Sequence, residues 1–172
     1  MPDATGLELI AKELREADAE SVRGTLFFRD RATLIVAPQA IRATLARLRE
    51  RGYRFLASVH GVDYYPEEPR LGVLYELLDM DAVDRLTVKL RVPTDAPEVE
   101  SVTPDWPTAD AQEREIYDMF GVVFDGHPNL TRVLMPDDWE GFPQRKDYPL
   151  GGVPVEYKGA EIPPPDQRRV YQ

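Results

Sequence analysis

Apolar residues recur along the first half of the chain with periods that alternate between helix and strand. In ATGLELIAKELREAD, Leu7, Ile10 and Leu14 fall on one helical face, and Thr5-x-x-Glu8 has the spacing of a capping box. SVRGTLFFRD and ATLIVA are short β-branched and aromatic runs on either side of Arg29-Asp30-Arg31, the pattern of a hairpin. Pro38 can open a second helix whose stripe is Ile41, Leu45 and Leu48 and whose end is Gly52. YRFLASVHGVDYY, LGVLYELLDM and RLTVKLRVP then read as three strands with short connections, so their neighbours should run antiparallel. The predicted order α-β-β-α-β-β-β is a two-layer α+β domain, with helices on one face of a mixed, largely antiparallel sheet.

After Pro93 the pattern changes. TDAPEVESVTPDWP contains Pro97, Pro104 and Pro107 and cannot stay regular for long. A third helix is expected from about Ala109 to Phe120, with Ile116, Met119 and Phe120 at helical spacing. Residues 127–172 hold 8 of the 16 prolines, too many to complete a sheet, and their apolar residues are too dispersed for a second core. They do carry anchors, namely Trp139, Phe142, Tyr148, Tyr157 and Tyr171, interleaved with Arg132, Arg145 and Lys146. The chain is therefore expected to divide into an α+β domain, 1–126, and an extended, proline- and aromatic-rich docking arm, 127–172.

Composition narrows the function. The chain has no cysteine, which rules out disulfides, a cysteine nucleophile and thiolate-held zinc or iron–sulfur clusters. Two histidines, His60 and His127, make an imidazole-rich metal site a poor expectation. A net charge of −10 argues against a nucleic-acid surface, which needs clustered Lys and Arg. The acidic, amphipathic opening is unlike a signal peptide. The longest apolar run, LGVLYELLDM, is interrupted by Glu76 and falls short of the roughly 18 residues a membrane-spanning helix needs. A soluble chain, or one held at a membrane through partners, is expected.

The densest chemistry lies in EREIYDMFGVVFDGHPNLTRVLMPDDWEGFPQRKDYP, residues 113–149. Glu113, Glu115 and Asp118 could supply an acid and a base, but Arg114 and Asp118 stand at i and i+4, so an ion-paired face behind an apolar stripe is the better reading. His127, preceding Pro128, is biased to extended backbone and reads as a buried, hydrogen-bonded structural histidine. Ser58, His60 and Asp63 tempt a nucleophile reading. In a strand, however, Asp63 faces away from the other two, and no glycine elbow surrounds the serine. Asp79 and Asp81 lack EF-hand spacing and should flank a surface turn. The residues alone give an α+β domain with an aromatic, arginine-bearing tail and no visible catalytic, cofactor or metal site.

The same run resembles the signature of the C-type subunit, the 30 kDa subunit family, of the proton-translocating NADH–quinone oxidoreductase, respiratory complex I. The matching residues are Glu113-Arg114-Glu115, Asp118-Met119-Phe120-Gly121, Phe124, Gly126-His127-Pro128, Leu130 and Arg132. The match continues through Leu134, Pro136, Trp139, Gly141, Pro143 and Arg145-Lys146-Asp147-Tyr148-Pro149. Ala111, Phe142 and Gln144 depart from the common pattern.

The resemblance implies a non-catalytic subunit of the peripheral arm, at the cytoplasmic face of the cell membrane. It would pack chiefly on its D-type neighbour, the subunit that helps form the quinone site, and support NADH-to-quinone electron transfer coupled to proton translocation. FMN, iron–sulfur clusters and quinone would belong to partner subunits. The residues of the signature would be structural and interface elements, with carboxylates locked by arginines and aromatics anchoring the arm on a partner. The alternative is the equivalent subunit of a related membrane-bound hydrogenase or of a ferredoxin- or F420H2-dependent dehydrogenase. A remote one is a free-standing hydrolase using Glu113, Glu115 or His127.

Overall fold

The computed structural model describes residues 3–149 and the backbone of two short strands, Glu156–Tyr157 and Ala160–Glu161, which pair with each other. The anchor expected at Tyr171 lies outside the described residues. The elements follow the predicted order: α1 (Ala4–Ala17), β1 (Val22–Phe28), β2 (Arg31–Val36), α2 (Ile41–Arg51), β3 (Phe55–Asp63), β4 (Leu71–Asp79) and β5 (Asp84–Val92). Beyond these come β6 (Glu98–Glu100), α3 (Asp110–Phe120) and β7 (Val123–Asp125), so the fold is the expected α+β class.

The sheet runs β1-β2-β5-β4-β3. Its hairpin neighbours are antiparallel, and β2 and β5 are parallel, which makes it mixed. The β1–β2 hairpin turns on Arg29 and Asp30, both at positive φ (48° and 58°), the backbone of a tight two-residue turn matched to strand twist. Asp79 accepts the N–H groups of Asp81 and Ala82, making the expected surface turn between β4 and β5.

The cap of α1 differs from expectation. Asp3 caps the helix, its carboxylate accepting the N–H of Gly6 at 2.7 Å, and Thr5 lies inside the first turn. The helix starts one residue before Thr5, so Glu8 is free to meet the Thr25 hydroxyl of β1 instead of closing a capping box.

Alternation along the strands sorts one face of the sheet into the core. Leu71, Val73, Tyr75 and Leu77 of β4 lie beside Leu86, Val88, Leu90 and Val92 of β5, all buried, with Ala32, Leu34 and Val36 of β2 on the same face. The apolar stripes of α1 and α2 join this cluster, and so does Ile116 of α3. All three helices therefore cover one face. Gly61 of β3 makes the seat for α3: a Cβ there would come within 2.5 Å of the Phe120 ring and 3.2 Å of Ile116. Val99 and Phe124, from the parallel pair β6–β7, join the same core cluster.

Gly61→Ala should lower stability by about 1–3 kcal/mol through overpacking. At this size that is a fall of roughly 2–4 °C in melting temperature per kcal/mol. Gly24→Ala is the matched control, because the nearest atom to its added methyl is Ile35 Cδ1 at 3.7 Å. Thermal unfolding of both variants by circular dichroism tests the difference, and equal melting temperatures would contradict this account of the α3 seat.

Candidate functional site

A helix leaves its last carbonyls without intrahelical donors. At the end of α3 those carbonyls are Asp118, Met119 and Phe120, and residues 132–145 supply a donor to each. Arg132 Nη1 donates to Asp118 O at 3.1 Å, the Gln144 N–H to Met119 O at 3.1 Å, and Arg145 Nε to Phe120 O at 2.6 Å. Two of the three donors are cations at the negative end of the helix dipole, where positive charge is favourable. Gly121 turns the chain at φ 76° and returns its own N–H to Tyr117 O. That glycine also lets the Phe142 ring settle on the helix end, since a Cβ would approach the ring to 2.5 Å. Phe142 in turn lies under Arg145 and Arg132, 4.7 and 5.6 Å from their guanidinium carbons, and edge-on to Tyr117.

Asp118 is fully buried at the centre of this cap. Its Oδ1 accepts Arg132 at 2.5 Å, and its Oδ2 accepts three successive N–H groups, Val133, Leu134 and Met135, at 3.0, 2.7 and 2.9 Å. Arg132 reaches onward to Trp139 O and Gly141 O at 2.9 and 3.0 Å. Burial raises the Asp118 carboxyl, but the Met135 N–H, the Arg132 guanidinium and the Leu134 and Val133 N–H groups outweigh it, and the net shift is downward.

A second clamp holds the far end. Arg70, before β4, makes paired contacts to Asp63 at 2.7 and 2.6 Å and to Asp147 at 2.8 and 2.8 Å. Asp63 also accepts the Lys146 N–H at 2.7 Å. The Arg70 guanidinium holds the Asp63 carboxyl down at about 2, and it lowers Asp147 as well. Tyr148 closes the segment, its ring against Gly141 and its hydroxyl donating to Glu140 O at 3.3 Å.

Glu113 is equally buried but differently served. It accepts the Ser101 hydroxyl at 2.6 Å and the Val102 N–H at 2.8 Å, with His127 Nε2 at 4.0 Å. Burial pushes its carboxyl up, and Ser101, Val102 and His127 offset only part of that. Burial, together with nearby charge on Glu113, also raises Tyr75, whose hydroxyl finds no partner among the described residues. His127 accepts the Asn129 N–H on Nδ1 at 3.1 Å, which leaves Nε2 to donate to Asp110 O at 3.3 Å. Its side chain is buried, as the sequence predicted.

Two expectations are corrected. Arg114 does not pair with Asp118. It lies 4.0 Å from Asp110 and donates to Thr131 O, Thr131 Oγ1 and Arg132 O, because Asp118 is sunk beneath residues 133–135 and takes its guanidinium from Arg132. Nor do arginines lock every carboxylate: Glu113 is held by a hydroxyl and an amide, and Glu115 is exposed. Of the signature residues, Arg132, Arg145, Asp147 and Tyr148 bond back to their own chain. Trp139 is half-buried, with its indole N–H unpartnered among the described residues. Pro128 and Lys146 are exposed.

Ser58 and His60 line a cleft of about 480 Å³ with Glu115 and Phe120, whereas Asp63 is committed to Arg70, so no triad forms. Arg70 and Ser101 escaped the sequence reading. The signal for Arg70 was its place at the start of β4, which the hairpin register sets beside Asp63.

Asp118→Ala should cost about 3–5 kcal/mol, since it leaves the Arg132 charge and three N–H groups without their acceptor. The pH dependence separates the two buried acids. The folded-state value of Asp118 is depressed, so its contribution is present above the ordinary carboxylate range and is lost as pH falls through the folded value. Glu113 is raised, so its contribution is full below the ordinary range and fades as pH rises through its folded value. Urea unfolding across pH should therefore show Glu113→Gln losing less stability than the parent on going from acid to neutral pH. An unchanged slope would contradict the assignment.

The comparisons agree with one another. The family model described as the respiratory-chain NADH dehydrogenase 30 Kd subunit matches residues 34–154. A Saccharopolyspora erythraea protein, named as the C-type subunit of NADH-quinone oxidoreductase, is 55% identical over 176 residues, covering 98% of this chain and 69% of the relative. A Salinispora tropica protein of the same name is 51% identical, over 94% of this chain and 67% of its own length. The chain thus spans about two thirds of the length of these relatives.

Among solved structures, the trypsin-resistant fragment (1-134) of Nqo5 superposes with a TM-score of 0.62 at 30% identity, over 70% of this chain and 98% of that one. A chain of the membrane-bound sulfane sulfur reductase, titled an archaeal respiratory membrane complex, gives a TM-score of 0.69 at 27% identity, over 83% and 85% of the two chains. With the α+β sheet, the capped third helix and the clamped arm all in place, the chain belongs to the family of the 30 kDa subunit of respiratory-chain NADH dehydrogenase.

Proposed function

We propose that this chain is a non-catalytic structural subunit of the peripheral arm of proton-translocating NADH:quinone oxidoreductase, held at the cytoplasmic face of the cell membrane through its partners. It packs chiefly on its D-type neighbour, which helps form the quinone site, and stabilises the module in which electrons pass from NADH to quinone. FMN, iron–sulfur clusters and quinone are held by partner subunits. The reading is carried by the fate of the signature's polar groups. Asp118, Arg132, Arg145 and Asp147, with Arg70 from outside the signature, are all engaged in fixing residues 132–148 against the helix and strand ends. Groups locked in this way suit a rigid docking platform better than proton transfer to a substrate. No helix among the described residues is long and apolar enough to cross a membrane, which fits attachment through neighbours.

The likeness to a chain of the sulfane sulfur reductase favours a second reading, the equivalent subunit of a related membrane-bound hydrogenase or of a ferredoxin- or F420H2-dependent dehydrogenase. The higher identity with relatives named for NADH-quinone oxidoreductase supports the first reading.

Affinity purification of the tagged chain from detergent-solubilised membranes of its host separates the two. Recovery with flavin, iron–sulfur subunits and piericidin-sensitive NADH:quinone activity is the expected result. Recovery with a hydrogenase or F420-dependent module would favour the second reading, and recovery as a lone monomer would overturn both. Asp118→Ala and Arg145→Ala should each reduce incorporation into the complex, while the activity per assembled complex stays unchanged. A loss of turnover in fully assembled complex would instead point to a catalytic role.

A further inference from the structure

The arm leaves part of the α3–β3 groove open. β3 is an edge of the sheet, and in an antiparallel ladder alternate residues turn their backbone groups away from the partner strand. Tyr64, just past β3, gives its N–H inward to Arg70 O, whereas the Val59 N–H turns outward and is taken by Gln112 of α3. By the same alternation, the N–H and C=O of Gly61 point outward, and Gly61 lines the cleft of about 480 Å³.

Across the cleft stands Leu134, 61% exposed. Its backbone is held in place there, because Asp118 binds the N–H groups of Val133, Leu134 and Met135 together. Val133 is exposed on the same rigid turn. Glu115, on the exposed side of α3, lines the cleft and makes no ion pair among the described residues.

We propose that this cleft receives an extended segment of a neighbouring subunit, which adds a strand to the edge of β3 and sets a Lys or Arg against Glu115. The inference rests on the reading of the chain as a subunit of a larger complex and adds where, and by what chemistry, a partner engages it. An outward-facing strand backbone selects an extended occupant, because main-chain hydrogen bonds give strand addition its affinity. The exposed Leu134 offers that segment an apolar contact already in place, with little ordering cost on binding. An acidic chain of net charge −10 with an unpaired carboxylate at the site selects a basic segment.

The test uses the assembled complex. A photo-crosslinking amino acid in place of His60, at the cleft wall, should link to another subunit at a stretch carrying Lys or Arg. Hydrogen exchange of the peptide spanning Gly61 should be slower in the complex than in the isolated chain. Glu115→Lys should reduce recovery of the linked subunit about tenfold at low salt, a change of about 1.4 kcal/mol, with the melting temperature of the isolated chain unchanged. Glu20→Lys, before β1 at the opposite edge of the sheet, should leave recovery intact. A crosslink to residues 150–172 of the same chain, or exchange at Gly61 equally fast in both states, would overturn the proposal while leaving the subunit reading standing. Recovery of the unsubstituted tagged chain with no partner would overturn that reading and the proposal with it.

Discussion

The unsatisfied carbonyls at the end of α3 govern the second half of the chain. A helix that stops in a protein interior must find donors for its last turn, and α3 stops against the sheet at Gly121. The solution here is a segment that returns after β7 and lays a guanidinium, an amide and a second guanidinium on three successive carbonyls. Each guanidinium serves further partners: Arg132 also holds Asp118 and two loop carbonyls, and Arg145 covers Phe142. Without the return, the helix end would face an apolar core with its dipole uncompensated. Without the helix end, residues 132–148 would have no surface to define their course.

Three buried or nearly buried carboxylates show how environment, rather than burial alone, sets ionisation. Asp63 and Asp118 each receive a guanidinium and backbone N–H groups, and both are held down in spite of desolvation. Glu113 receives a hydroxyl, one amide and a histidine 4.0 Å away, and desolvation prevails. The first two therefore act as charged pins between segments distant in sequence. Glu113 acts as a polar bracket between α3 and the strand-like stretch at Ser101, where a neutral form is tolerated.

Periodicity carried nearly all of the first domain. The stripes of α1 and α2, the hairpin at Arg29-Asp30 and the three long strands were legible because each buries one face against a single core, and that leaves a period of 3.6 or 2. The third helix was legible from Ile116, Met119 and Phe120. The pairings within the signature were not. Helical spacing pointed from Arg114 to Asp118, yet the partner of Asp118 comes from 14 residues onward, because the contact depends on how a non-repeating segment folds back. The Asp63–Arg70 pair follows from the β3–β4 hairpin register and not from spacing along a helix or strand face. The meeting of Arg70 with Asp147 spans 77 residues and has no periodic trace. The parallel join of β2 and β5, and of β6 and β7, was likewise beyond local pattern.

A stretch rich in Glu, Asp, Arg and His invites a catalytic reading because those residues build active sites. They also meet the needs of an irregular segment that must be fixed without secondary structure of its own. Regular elements satisfy their amides through ladders, whereas residues 127–149 have none and rely on isolated turns together with side chains. Asp118 takes three consecutive amides, and Arg132 and Arg145 return charge to carbonyls. The glycines at 121 and 141 admit the Phe142 and Tyr148 rings against the backbone. The density of charge in the signature follows from that demand. What the cap leaves over, chiefly Leu134 and Val133 held outward and Glu115 beside the open edge of β3, is the surface left for a partner to read.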